Sequence, residues 1–269
     1  MQRFFTIIVV IALGAALLSA CAPLNTAEQA VTVYLNALIN KQYAVAAESL
    51  SDYSLEILGK SRADAQAYFE QIDQAGAPQL TGFEISQKQA LNRQVTLINV
   101  KYSLQTGDAE PITIDTQIPL HLENQTWKIN WGDIVDDLKL DKVDEQTING
   151  LRIKPTQIIR RIDSTLVIFD AENTTSQVIN WGKAGAKIAR ITVDVETVYD
   201  AFVDQQGSSG MTTPAEIQPG AKASGVAVNF TSFAANIPSL VELMNFSSTT
   251  PAGQVSQPIK PWSYSFKIN

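Results

Sequence analysis

The sequence contains one cysteine and one histidine, Cys21 and His121, and these two residues limit the chemistry that the chain can perform. A disulfide needs two cysteines, and a structural zinc site needs about four Cys or His ligands, so neither forms within one copy of this chain. A thiol nucleophile activated by an imidazole would have to use both unique residues. His121 comes just before a predicted turn, which is typical of a solvated residue at a strand end rather than of a general base.

Carboxylates are most concentrated between residues 133 and 145. Calcium-binding carboxylates would need loop spacing with a central glycine, as in D-x-[DN]-x-[DN]-G, and the segment lacks that pattern. The spacing instead predicts the solvated face of a short helix whose other face carries Ile134, Val135 and Leu138. We therefore expect no metal and no cofactor here. The acidic residues are Asp133, Asp136, Asp137, Asp141, Asp144 and Glu145.

The composition is that of a folded protein without a nucleic-acid partner. The chain has 269 residues, of which 45% are hydrophobic and 17% charged, a balance typical of globular domains. Its formal net charge is −7, from 27 acidic and 20 basic residues. Nucleic-acid binding needs clustered Lys and Arg side chains that neutralise phosphates, so this charge argues against DNA or RNA as partners.

The N-terminal segment has the features of an export signal. Arg3 is the only charged residue before Cys21, and an apolar run from Phe4 to Leu18 follows it. The run is shorter than the roughly 20 residues that a membrane-spanning helix needs. It ends in small residues, as a signal peptide does before its cleavage site. The only cysteine of the chain comes directly afterwards.

The segment Leu18-Ser19-Ala20-Cys21 resembles the lipobox of bacterial lipoproteins. The resemblance implies that residues 1–20 are a signal peptide, that the peptidase recognises Leu18, Ser19 and Ala20, and that Cys21 carries the acyl chains. Several acyl chains on one residue hold a protein stably at a membrane, whereas a single chain gives only marginal binding. We therefore expect an extracytoplasmic protein, lipid-anchored to a bacterial membrane through Cys21, with residues 21–25 as a tether.

Residues 26–148 are predicted to form an α+β domain, with helices first and an antiparallel sheet afterwards. Thr26 and Gln29 have capping-box spacing ahead of an apolar helical pattern, and two further helices are predicted before Gly76. The apolar period then changes to two, and turn signals separate successive strands. The predicted strands surround Phe83–Ile85, Arg93–Leu104, Ile112–Ile118 and Trp127–Trp131.

Two segments of this domain resemble nuclear transport factor 2-like domains, in particular the version that precedes some penicillin-binding transpeptidases. They are the helix junction Asn40-Lys41-Gln42-Tyr43 and the closing strand Gln125–Trp131. The resemblance implies a curved sheet with helices on its concave side, forming a cone that can hold a pocket. Relatives similar to ketosteroid isomerase use a buried carboxylate and a tyrosine for proton transfer in that pocket.

The cone supplies tyrosines but no clear carboxylate. The tyrosines that could line it are Tyr34, Tyr43, Tyr68 and Tyr102. Each of them also fits an ordinary aromatic core with a hydrated hydroxyl. Asp115 is expected on the face of its strand opposite the isoleucines, and therefore outside the pocket.

Residues 152–269 are predicted to form an all-β sandwich, because segments rich in Val, Ile, Phe, Tyr and Thr alternate with polar turns. The candidate strands are Ser164–Ala171, Ile188–Val198, Val226–Phe233 and Trp262–Ile268, with one helical turn around Ser239–Met244. Glu172–Ser176 and Ile217–Ala221 resemble turns in the immunoglobulin-like domains of uncharacterised bacterial lipoproteins. Their Asn, Ser, Pro and Gly residues specify turns and carry no information about a ligand.

Three functions remain open from the sequence. The first, which the lack of a catalytic constellation favours, is a non-catalytic envelope lipoprotein that binds a protein or a cell-wall partner. The second is a small-molecule pocket in the first domain, used for binding or isomerisation. The third is an accessory role in cell-wall synthesis, which the resemblance of the first domain suggests. The role would be accessory because the catalytic motifs S-x-x-K, S-D-N and K-T-G of penicillin-binding transpeptidases do not occur in this sequence.

Overall fold

The computed structural model describes residues 25–181, 186–193, 197–202, 216–231, 237–249 and 261–268. The chain divides into two units, the first ending at Val135 and the second beginning at Asp136. Cys21 and the lipobox residues before it lie outside the described residues, so lipidation stays a prediction. Within the described ranges, no helix is both long enough and apolar enough to cross a membrane.

The first unit begins with four helices, one more than the sequence predicts. The Thr26 hydroxyl accepts a hydrogen bond from the Gln29 N–H at 3.1 Å, and the Gln29 side chain accepts one from the Thr26 N–H at 2.8 Å. The predicted capping box is therefore confirmed. Ser51, which looks like an interruption in the sequence, caps the additional helix, and Ser61 caps the last one. The helices are α1 (Ala27–Ile39), α2 (Tyr43–Glu48), α3 (Asp52–Leu58) and α4 (Arg62–Gln74).

An antiparallel sheet completes this unit, which has the predicted α+β organisation. Its strands are adjacent in chain order, and two register shifts in the first of them bend the sheet. Apolar side chains of the helices and of one sheet face form a single core that includes Leu35, Leu50, Phe69, Ile98 and Leu120. The strands are β1 (Gln79–Ala90), β2 (Val95–Gln105), β3 (Ile112–Glu123) and β4 (Thr126–Ile129).

The acidic segment begins with a strand, so the predicted helix over Ile134 to Leu138 is wrong. Strand β5 (Ile134–Lys139) lies beside β7 (Leu151–Arg161) in a sheet of the second unit. The Asp136 carboxylate pairs with the Arg160 guanidinium, and Asp137 accepts a hydrogen bond from the Gln157 side chain at 2.6 Å. These partners lie on a neighbouring strand and are remote in sequence. They stabilise the carboxylates that the local pattern predicts to be solvated on a helix face.

The segment between the two predicted domains is the turn of a β-hairpin. Strand β6 (Gln146–Ile148) pairs with β7, and Ile148 lies opposite Leu151. Asn149 and Gly150 both have positive φ, 50° and 76°, as a two-residue hairpin turn of type I′ requires. The predicted boundary at residues 148–152 therefore lies inside the second unit, which starts earlier in the chain.

The second unit contains two antiparallel sheets around one core. One sheet has the order β13-β8-β7-β5, with β6 beside β7, and the other has β11-β10-β14-β9-β12, with β15 beside β14. Apolar residues of both sheets, among them Phe169, Trp181 and Phe246, belong to one buried cluster. The remaining strands are β8 (Thr165–Asn173), β9 (Val178–Trp181), β10 (Lys187–Thr192), β11 (Val198–Phe202), β12 (Glu216–Ile217), β13 (Lys222–Phe230), β14 (Leu240–Thr249) and β15 (Trp262–Lys267).

Two local predictions in this unit need correction. The strand predicted over Ile188–Val198 ends at Thr192 in β10, and Val198 begins a separate strand, β11, which pairs antiparallel with β10. The helical turn predicted around Ser239–Met244 lies mostly within β14, whose pairing with β10 and β15 on either side overrides its local pattern.

Candidate ligand-binding cavity

An aromatic cavity of about 290 Å³ lies in the first unit, between α1, α4 and the start of β1. Three of the four tyrosines named from the sequence, Tyr34, Tyr43 and Tyr68, line it. Tyr102 is not part of the lining but packs against the same core. The other aromatic and aliphatic walls are Leu38, Ile39, Phe69, Ile72, Leu80 and Trp131.

The aromatic rings of the cavity are inclined to one another rather than stacked. Phe69 is at the centre, with its ring centroid 6.4 Å from that of Tyr34 and 6.1 Å from those of Tyr68 and Trp131. These pairs have interplanar angles of 60–63°. Edge-to-face pairs of this kind stabilise each other beyond simple burial.

A buried polar network fixes the wall that Trp131 supplies. The Ser51 hydroxyl donates to Asn130 Oδ1 at 2.6 Å, and Asn130 Nδ2 donates to the Ile134 carbonyl at 2.9 Å. The Ser54 hydroxyl accepts the Trp131 N–H at 2.9 Å. Ser51, Ser54 and Asn130 are at most 2% exposed. Since α3 and the segment after β4 share these bonds, the Trp131 backbone is held from both sides.

An ion pair lies at the edge of the cavity. Lys41 Nζ is 2.8 Å and 3.1 Å from the two carboxylate oxygens of Asp73. Lys41 has a φ of 55°, a left-handed backbone that ends the first helix and turns the chain toward Tyr43. Hydrogen bonds from Lys41 and from the Tyr43 hydroxyl hold the pKa of Asp73 below its usual range. Asp73 is therefore an ionised acceptor at neutral pH.

Tyr34 and Tyr43 in the cavity wall, and Tyr102 beside it, are neutral hydroxyls. Burial raises the pKa of Tyr34 well above its usual value, and the nearby Tyr102 and Asp133 raise it further. Burial and the charge of Asp133 also raise the pKa of Tyr102. For Tyr43, burial, its hydrogen bond to Asp73 and the negative charges of Asp73 and Glu70 raise the pKa to about 12. These three hydroxyls therefore stay protonated at physiological pH.

His121 and Asp115, also considered from the sequence, lie outside the lining of this cavity. His121 is within β3 rather than at its end, and its side chain is 16% exposed, so the prediction of a solvated residue is wrong. Its ring packs on Tyr53 at a centroid distance of 4.5 Å, beside Glu123, whose carboxylate accepts the first N–H groups of α3. Asp115 is exposed opposite Lys101. Among the described residues, no three His, Cys, Asp or Glu side chains are placed to hold a metal ion.

Sequence reasoning identified the tyrosines but missed Trp131, Phe69 and the Lys41–Asp73 pair as parts of one site. In the sequence, Lys41 belongs to the helix junction Asn40-Lys41-Gln42-Tyr43 and Phe69 is one apolar residue of a predicted helix, and neither pattern indicates a shared site. The spacing of Tyr68, Phe69 and Ile72 on α4 was a usable signal, because it leaves aromatic surface on two faces of one helix. Comparison of the sequence with protein-family models and with curated proteins gave no match.

Proposed function

We propose that this chain is a non-catalytic, lipid-anchored lipoprotein of the cell envelope whose first domain binds a small, largely apolar molecule in the aromatic cavity. The observation that carries the proposal is the cavity itself, which is concave, lined mostly by apolar and aromatic side chains, and furnished with a few polar groups, as ligand sites are. At its edge, Tyr68 is 48% and Ile72 38% exposed. Large apolar side chains left in water beside a cavity are typical of a binding surface.

Binding is a better assignment than isomerisation. A general base works best with a pKa near the operating pH, which for a carboxylate requires burial without a cation beside it. Asp73 has the opposite environment, since Lys41 and Tyr43 stabilise its ionised form. It is therefore suited to orienting a ligand by charge and hydrogen bonding, and is a weak acceptor for a proton removed from carbon.

The domain folds and the anchor belong to the same proposal. A bent antiparallel sheet covered by helices supports a nuclear transport factor 2-like first domain, and two antiparallel sheets around one core support an immunoglobulin-like second domain. The lipobox resemblance supports acylation at Cys21. In this account the lipid holds the cavity-bearing domain outside the cytoplasm, where it meets its ligand.

The cavity is tested by blocking it. The neutral probe 3-tert-butylphenol, titrated calorimetrically into the mature chain, should bind with a stoichiometry of about one. Ala77→Phe places a ring in the cavity that Ala77 lines, and should weaken binding at least tenfold because the probe and the new ring compete for one volume. The control is Ala75→Phe, at an exposed residue of the same turn. Binding that Ala77→Phe leaves unchanged would place the probe elsewhere.

The anchor is tested separately with Cys21→Ser. Without the thiol that accepts the diacylglyceryl group, the variant should yield an unprocessed membrane-retained precursor or a released form, and it should incorporate no labelled fatty acid. Metabolic labelling followed by membrane fractionation measures both properties. A Cys21→Ser protein that is still acylated and anchored would contradict the assignment of the lipobox.

A further inference from the structure

We infer that the cavity is built for an organic cation, a ligand that carries a quaternary ammonium or protonated amine on a small apolar body. The inference rests on the proposed binding function and names the chemical class of its ligand. Two independent features of the site support it, which are the arrangement of the aromatic rings and the sign of the surrounding charge.

Aromatic side chains form much of the cavity wall. Tyr34, Tyr68 and Trp131 contact Phe69 or one another at centroid distances of 5.6–6.4 Å, and each of these pairs is inclined by 60–63°. Because these rings are inclined to one another, a group bound in the cavity that they line meets them at different angles. A cation within about 6 Å of a ring face is attracted by the ring quadrupole, and the attraction grows when water is displaced. A flat neutral molecule would stack better between parallel rings.

The fixed charges around the cavity sum to a negative value. Asp73 lines it, and its one cationic lining residue is Lys41. Two more carboxylates act on the tyrosine hydroxyls, Glu70 on Tyr43 and Asp133 on Tyr34. Three carboxylates against one ammonium leave a negative potential over the aromatic walls. Such a field favours a positively charged ligand and disfavours an anion.

The Lys41–Asp73 ion pair does not cancel this negative potential. The Lys41 side chain is 50% exposed, and ion pairs with an exposed partner are screened by water and contribute little. Asp73 also accepts from Gln79 Nε2 at 3.4 Å and from the Tyr43 hydroxyl. The carboxylate is thus held in place from several directions, so that a ligand cation can share it or displace the flexible lysine without rearranging the cavity.

The first experiment compares two probes of nearly the same shape. In 3-hydroxyphenyltrimethylammonium the charged nitrogen replaces the quaternary carbon of 3-tert-butylphenol, so the pair differs in charge alone. We expect the cation to bind to the mature chain roughly tenfold more tightly, and its affinity to fall with added salt. If the neutral probe binds equally or more tightly, the cation inference is wrong while the binding function stands. If neither probe binds, both are wrong.

The second experiment separates charge from structure, because two variants break the same ion pair with opposite changes of charge. Asp73→Asn should weaken binding of the cation about fivefold, and Lys41→Gln should strengthen it about fivefold, since a single charge a few ångströms from the ligand has effects of this size. The affinity of the cation relative to that of 3-tert-butylphenol should therefore fall in Asp73→Asn and rise in Lys41→Gln. Thermal unfolding of each variant confirms that the first domain is folded. If both substitutions change the affinity for the cation in the same direction, the ion pair affects binding only by stabilising the cavity and not by its charge. The inference of a cationic ligand is then wrong.

Discussion

Asn173→Ala is expected to lower the free energy of unfolding of the second domain by about 4 kcal/mol, because the Asn173 side chain is a fully buried hydrogen-bond hub. Its Nδ2 donates to the carbonyls of Gln177 and Ile217 at 2.7 and 2.9 Å. Its Oδ1 accepts from the N–H and hydroxyl of Thr175 at 3.0 and 2.8 Å. Alanine would remove all four bonds, of which the one to the Ile217 carbonyl is buried and the other three are partly buried. Each buried polar group left unsatisfied costs roughly 1–3 kcal/mol.

The measurement is urea-induced unfolding followed by tryptophan fluorescence, with the transition of the first domain as an internal reference. Trp181 reports on the second domain because it is buried and lies on β9, which pairs with the strand that contains Ile217. Ser176→Ala, at an exposed residue of the same loop, is the control and should change stability by less than about 0.5 kcal/mol. A loss below about 1 kcal/mol for Asn173→Ala would show that the hub is not needed.

Asn130→Ala is expected to destabilise the first domain by about 3 kcal/mol and to weaken ligand binding as well. Asn130 is 2% exposed and connects the Ser51 hydroxyl to the Ile134 carbonyl. Truncation leaves a buried hydroxyl and a buried carbonyl with fewer partners. The turn that carries Trp131 then loses one of its two attachments, so that the cavity wall becomes less well positioned and 3-tert-butylphenol should bind at least threefold more weakly.

The matched control is Asn36→Ala, which truncates an exposed asparagine in the middle of α1. It should leave both stability and binding close to those of the parent, because alanine is a good helix former and no buried partner is lost. Chemical denaturation and probe titration are made on the same preparations. Unchanged binding in an Asn130→Ala protein that is folded but destabilised would show that Trp131 is positioned by other contacts.

The sequence predicts those elements whose cause is local. The capping box of α1 is recognisable because Thr26 and Gln29 are three residues apart, and it forms as expected; Ser61 and Asp64 form the same arrangement at the start of α4. The alternation in β2 and β3 is equally local, and Ile98 and Ile118 lie opposite each other in the core, whereas Ile112 and Ile114 of β3 are exposed, against expectation. The α+β order of the first domain follows from such signals alone.

Elements whose stabilising partners are remote in sequence are the ones predicted incorrectly. Asn149-Gly150 is a strong hairpin signal, but β6 has only three residues and gains its stability from β7 and β15, so that it looks like a linker. The sequence of the acidic strand β5 has the pattern of a solvated helix face. The partners that neutralise its carboxylates, such as Arg160, are more than twenty residues away and are not visible in that pattern. The cavity is harder still. Its walls come from α1, α4, β1 and Trp131, and no local pattern shows that they leave a void between them.

The most direct test of the account is fluorine NMR of mature protein labelled with 5-fluorotryptophan. The chain has four tryptophans, of which Trp131 lines the cavity and Trp181 is buried in the second domain. On titration with 3-hydroxyphenyltrimethylammonium, we predict that the Trp131 resonance shifts in a saturable manner, that Trp181 stays unchanged, and that Ala77→Phe abolishes the shift. A Trp131 resonance that stays in place while the probe binds, or one that moves no more than Trp181, would contradict ligand binding in the aromatic cavity.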